Sequence, residues 1–147
     1  MGSKVKCSLS FIENIAKSNI PTIIYNPSKQ HLNSVFEISD EIISLNLILA
    51  ENLLNYHVDE RPDVVHTEVM NILTESKTLL LLKDFEMLFD PRYKIDVVKL
   101  IVEVSRRRKI VALWPGTLNE STLVYASIES PDYQVFGINN YDIICVY

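Results

Sequence analysis

The sequence predicts a three-layer α/β domain built on a mostly parallel central sheet, and three observations carry that prediction. Residues 20–25, 78–82 and 110–114 are short apolar runs with little polar character to turn toward solvent. Such runs mark parallel strands covered on both faces. Between them lie segments whose apolar residues recur at helical spacing, so strands and helices alternate and right-handed crossovers follow. Finally, 147 residues with 48% hydrophobic and 22% charged side chains suit one domain around one core, residues 1–147.

Taken in chain order, residues 7–17 place Leu9, Ile12, Ile15 and Ala16 on one helical face, behind Ser8 or Ser10 as caps. Pro21 opens the β-branched strand Thr22-Ile23-Ile24-Tyr25. Residues 31–38 fit a short helix with Leu32, Val35 and Phe36 together. Residues 41–47 read as a second strand and residues 50–56 as the helix after it. The apolar stretch 47–54 does not divide cleanly between the two. Arg61-Pro62-Asp63 starts another helix, with Pro62 in the first turn and Val65, Val69, Ile72 and Leu73 inward. After the strand at 78–82 comes a helix at 96–106, with Val97, Leu100, Ile101 and Val104 inward. The strand at 110–114 breaks at Pro115-Gly116, and residues 123–126 and 143–146 are two further strands. The strand-rich last third predicts antiparallel additions at one edge of the sheet. Met1-Gly2-Ser3 fits an expression scar, and Gly2 carries no structural expectation.

A net charge of −5 disfavours nonspecific nucleic-acid binding by the whole surface. Cys7 and Cys145 stand at opposite ends and match neither a metal-ligand spacing nor a disulfide framework, so a reducing cytoplasm is the expected compartment. No apolar run approaches the ~20 residues of a membrane span, so no membrane contact is expected.

The layout places two candidate nucleotide-site segments at strand ends. The link Asn26-Pro27-Ser28-Lys29-Gln30-His31 stands where a first strand feeds a phosphate loop. Such a loop curls backbone N–H groups around phosphate, at angles glycine tolerates best. Here there is no glycine between Gly2 and Gly116, and Pro27 removes a donor. Lys29, with Ser28 beside it, is the candidate relic of the phosphate lysine. The run Leu79-Leu80-Leu81-Leu82-Lys83-Asp84-Phe85-Glu86 looks like the acidic second motif of P-loop enzymes. In that motif an aspartate serves magnesium and a glutamate orients water. Asp84 and Glu86 are thus candidate catalytic acids, although Lys83 takes the first position after the strand and would repel a cation.

Arg106-Arg107-Arg108-Lys109 is the dense basic run, at a predicted helix C-terminus. It fits either complementation of the helix dipole or contact with a partner or a phosphate. His57, Asp59, Glu60 and His66 match no standard metal spacing, and no metal site is expected. Trp114-Pro115-Gly116 would sit at the carboxyl edge of a parallel sheet, where ligands bind.

Two stretches carry a family likeness: Leu82-Lys83-Asp84-Phe85-Glu86-Met87-Leu88-Phe89-Asp90-Pro91, and Val104-Ser105-Arg106-Arg107-Arg108-Lys109-Ile110-Val111-Ala112-Leu113-Trp114-Pro115-Gly116. Together with Leu123-Val124-Tyr125-Ala126 and Pro131-Asp132-Tyr133, they resemble the small P-loop protein of BREX phage-defence systems, the BrxF family. The resemblance implies a P-loop-NTPase-like domain in a bacterial cytoplasmic antiviral system. Its implied partners are other defence proteins, such as ATPase, methyltransferase or phosphatase subunits. The family carries a glycine-rich phosphate loop after its first strand, and Lys83 replaces a family acid; this chain departs at both places.

The expected function is therefore a noncatalytic or degenerate P-loop-fold component of a BREX-like defence complex, working through protein contacts and needing no cofactor. An ATP-hydrolysing subunit with an unorthodox loop is the alternative, using ATP and Mg with Lys29, Asp84 and Glu86. A DNA-contacting module using residues 106–109 is a third, and a homo-oligomer is compatible with each.

Overall fold

The computed structural model describes every residue, Met1–Tyr147. Nine strands run in chain order: β1 (Ser3–Val5), β2 (Thr22–Ile24), β3 (Glu41–Ser44), β4 (Leu80–Lys83), β5 (Ile110–Leu113), β6 (Thr117–Leu118), β7 (Thr122–Tyr125), β8 (Gln134–Gly137) and β9 (Ile144–Val146). Five helices join them: α1 (Leu9–Glu13), α2 (Lys29–Ile38), α3 (Leu45–Leu53), α4 (Arg61–Leu73) and α5 (Val97–Ser105). Six strands form one sheet in the order β1-β9-β2-β5-β4-β3, with every pairing parallel.

Chain direction explains the layers. The step from β2 to β3 crosses toward one edge, while β3 to β4, β4 to β5 and β5 to β9 all step back. Right-handed crossovers then put the connecting elements on opposite faces. Ile12 of α1 and Val35 of α2 pack with Ile24, Leu81, Val111 and Val146 on one face. Leu49 of α3, Val69 of α4 and Ile101 of α5 pack with Ile23, Leu82, Ala112 and Cys145 on the other. Alternate residues of each strand serve alternate faces, as the pleat requires.

Local chemistry sets the helix ends. The Ser28 hydroxyl accepts from His31 N at 3.1 Å to start α2, and an Asp96 oxygen accepts from Lys99 N at 3.0 Å to start α5. Pro62 lies in the first turn of α4, where its missing N–H costs nothing.

The structure departs from the sequence reading in several places. The second strand ends at Ser44, and Leu45 already begins α3. Leu45, Leu49 and Leu53, four apart, are all buried on one helical face. The strand expected at 78–82 runs from Leu80 to Lys83, because the Thr78 carbonyl accepts from Arg108 Nε at 2.8 Å instead of joining the ladder. The antiparallel strands do not extend the main sheet; β6-β7-β8 form a separate three-stranded sheet. Its Leu123 and Phe136 join the core on the α3–α5 side. Gly2 has a role after all: it leads into β1, and a Cβ there would collide with the Ile138 carbonyl oxygen.

Candidate functional site

The predicted site residues fall on opposite ends of the sheet. Lys29, Ser28, Asp84 and Glu86 follow the carboxyl ends of β2 and β4, whereas residues 106–109 precede the amino end of β5. They cannot form one site.

At the carboxyl edge, four residues, Tyr25 to Ser28, join β2 to α2. The phosphate-loop motif G-x-x-x-x-G-K-[ST] places six residues before its lysine. The Tyr25 N–H is committed to the Val146 carbonyl at 2.8 Å, and Pro27 has none. Asn26 turns the chain at φ 46°, the left-handed region that asparagine tolerates better than most residues. Ser28 is occupied as the cap of α2, and the Lys29 side chain is exposed without an ion pair. Within the link only Asn26 and Ser28 keep an N–H without a hydrogen-bond partner, fewer donors than the glycine-rich motif presents.

The end of β4 is equally committed. Asp84 adopts φ 50°, and its carbonyl accepts from Asn46 N at 2.7 Å. Its carboxylate accepts from Ser44 Oγ at 2.5 Å and lies 3.8 Å from Lys83 Nζ. The ammonium also sits 6.0 Å from the centre of the Phe36 ring. Lys83 thus places a positive charge beside Asp84. Glu86 is exposed at the start of the turn Glu86–Phe89. It borders an open cleft of about 460 Å³ that also includes Asn46, Asp90 and Asp132. Arg92 grips Asp90 through Nε at 3.0 Å and Nη2 at 2.6 Å, which holds the Asp90 carboxyl below its ordinary range. No group of three His, Cys, Asp or Glu side chains is placed to hold a metal. His57 Nδ1 accepts from Asp59 N at 3.3 Å, and His66, on α4, pairs through Nε2 with Glu103 at 3.1 Å.

Trp114-Pro115-Gly116 also lies at the carboxyl edge, but it binds the small sheet. Trp114 is buried and donates from Nε1 to the Val124 carbonyl at 3.1 Å. Its ring meets Phe89 and Phe136 edge-on at 5.5 and 5.7 Å between centres. A Cβ on Gly116 would collide with that same Val124 carbonyl.

At the amino edge the basic run divides. Arg106 and Arg107 are exposed and make no ion pair. Arg108, grouped with them in the sequence as a candidate partner or phosphate contact, is not available for one: its guanidinium is buried and consumed by protein. Nε donates to the Thr78 carbonyl at 2.8 Å, Nη1 to Glu41 at 2.8 Å and the Leu73 carbonyl at 3.1 Å, and Nη2 to the Thr78 hydroxyl at 3.1 Å. Lys109 Nζ caps the Ala16 carbonyl. Arg108 therefore holds the interior rather than a partner, because the ends of α4 and the start of β4 leave carbonyls that need a donor.

The sequence reading missed Ser44 and Asn46, which fix Asp84 and Met87, because it carried the second strand through them. It also missed Glu41 and Thr78, whose contacts with Arg108 join residues far apart in the chain. Compared with protein-family models, with curated proteins and with solved structures, the chain matches none of them.

Proposed function

We propose that this chain is a noncatalytic, degenerate P-loop-fold component of a BREX-like antiphage complex that acts through protein contacts. The observation that carries the proposal is the β2–α2 link, which has four residues before Lys29 where the phosphate-loop motif has six, no glycine, and a proline that removes one donor. Strand order supports the P-loop ancestry. β5 lies between β2, the phosphate-loop strand, and β4, the acid-bearing strand, as in P-loop triphosphatases with an additional inserted strand. The pairing of Asp84 with Lys83 and Ser44 supports loss of the metal role.

Action through contacts is supported by the outer side of α3 and its exit. Leu47 is 69% exposed and Leu54 is 73% exposed, with Ile48 and Val58 also turned out. Apolar area of this kind is commonly covered by another protein. The defence role itself rests on the family resemblance, and its partners are the ATPase, methyltransferase or phosphatase subunits of the same system. The test is affinity purification of the tagged chain from its host, with phage plating on a strain lacking it. Recovery of defence subunits and loss of protection support the reading. Recovery of none, with unchanged plating, overturns it.

A further inference from the structure

We infer that the cleft at the amino edge of the main sheet binds a compact phosphate-bearing anion. The cleft has a volume of about 530 Å³ and is lined by Lys77, Leu79 and Asn19 together with the segment from Ser105 to Lys109. That size falls within the range of small-molecule sites. Five of its lining residues are cationic and none is acidic, in a chain with 19 acidic and 14 basic side chains. Such local segregation of charge against the net sign focuses a positive potential in the concavity.

The positive groups are not all spent on the fold. Arg108 and Lys109 are, as described above. Their bonds pin the α5–β5 connection to the end of α4, the start of β4 and the turn after α1. Arg106, Arg107 and Lys77 remain exposed with no carboxylate within ion-pair distance. The end of α5 does not neutralise them fully, because its last carbonyls are already used. Glu103 O accepts from Arg106 N at 3.2 Å, and Val104 O from Arg107 N at 2.9 Å. A cleft lined by two free guanidinium forks and a lysine beside a fixed segment is suited to tetrahedral oxyanions, which arginine grips by paired donors.

The lining also selects among anions. Leu79 is its sole apolar residue, so it lacks the apolar anchors that give protein interfaces their affinity. It contains no aromatic ring on which a nucleic-acid base would stack. A small polyphosphate satisfies the cleft without either. This site is independent of the degenerate nucleotide position, which lies at the opposite end of the strands.

The test is an amide-resolved NMR titration of the full chain with inorganic tripolyphosphate. Parallel arms use ATP, a short DNA duplex and a polyglutamate peptide. The expected result is saturable shifts at Lys77 and the amides from Ser105 to Lys109, with a Kd below about 1 mM. Affinity should fall at least about tenfold in Arg106→Glu/Arg107→Glu and when salt is raised from low to physiological concentration. Lys29→Ala should leave it unchanged, and a matching amide spectrum elsewhere shows that the double variant is folded. ATP binding at the same amides, with equal affinity, supports recognition of the phosphates alone. Absence of shifts, or shifts centred on Lys29, overturns the inference. Tighter binding of the duplex or the peptide than of tripolyphosphate also overturns it, in favour of a macromolecular partner.

Discussion

Arg108 donates from Nη1 to the Glu41 carboxylate at 2.8 Å, joining residues 67 apart in the chain. Glu41 opens the edge strand β3, and Arg108 precedes β5, with β4 between them. The same guanidinium ties the carbonyls of Leu73 and Thr78, so one side chain fixes the amino ends of three neighbouring strands. The Glu41 side chain is 42% exposed, which spares it most of the desolvation that a fully buried pair would suffer.

Arg108→Ala should therefore destabilise the fold by about 2–4 kcal/mol, since it orphans two carbonyls and a partly buried carboxylate. Arg106→Ala and Arg107→Ala should each stay within about 0.5 kcal/mol of the parent, as exposed positions do. Urea unfolding of the three variants checks this. An Arg108 variant with an unchanged midpoint and slope would show that the network carries no net stability.

Much of this architecture was legible in the sequence, and the gaps have physical causes. The central strands β4 and β5 stood out because burial on both faces leaves them apolar throughout, save for Lys83 at the end of β4. The β3–α3 boundary did not, because Ile43-Ser44-Leu45-Asn46-Leu47 alternates apolar and polar residues as a strand does, although the chain turns helical at Leu45. β1 and β8 escaped notice for the opposite reason. Ser3-Lys4-Val5 and Gln134-Val135-Phe136 have exposed sides and little apolar signal, and pairing defines them, with the distant β9 for β1 and with the preceding β7 for β8. Within the candidate site, charge runs revealed where cations gather. The commitment of Arg108 was hidden because it depends on carbonyls supplied by Leu73 and Thr78, which any sequence would carry.

Nucleotide binding gives the second prediction. ATP with magnesium should bind the carboxyl edge no more tightly than about millimolar, near 4 kcal/mol. Glu86→Gln and Asp84→Asn should leave the protein folded, and neither should remove hydrolysis, because none is expected of the parent. Calorimetry and a coupled phosphate-release assay decide it. Micromolar binding abolished by Lys29→Ala, or turnover lost in the acid variants, would establish the ATPase alternative.

The junction between the two sheets gives the third. Gly116→Ala should cost more than about 2 kcal/mol, because the new methyl group meets backbone rather than a yielding side chain. Trp114→Phe should cost about 1–3 kcal/mol through the lost donor to Val124 and the smaller ring. Trp114 is the sole tryptophan, so its fluorescence reports this junction directly. In Gly116→Ala its emission should shift to the red as the indole gains water. Unchanged emission and stability would mean that the small sheet docks without Trp114 and Gly116 in these positions.

The last prediction concerns alkaline pH and the buried thiol on β9. Burial pushes the Cys145 thiol up from 9.0 to about 11, with the nearby Lys4 charge opposing. The folded state therefore keeps its proton where the unfolded chain loses it. With the folded pKa raised, the contribution to stability is fully present below pH 9 and is lost as pH climbs toward 11. The lower half of that window separates the thiol from the tyrosines, since Tyr141, Tyr125 and Tyr56 all have raised values that act only above their ordinary 10.0. Denaturation midpoints measured from pH 8 to pH 10 should fall in the parent and fall less steeply in Cys145→Ala, whatever that variant loses at pH 8 through its smaller side chain. At pH 8, alkylation should modify the half-buried Cys7 well before Cys145, whose side chain packs inside the sheet face. Equal slopes in the two proteins, or equal labelling rates at the two thiols, would show that β9 opens readily and that Cys145 is not held in the core.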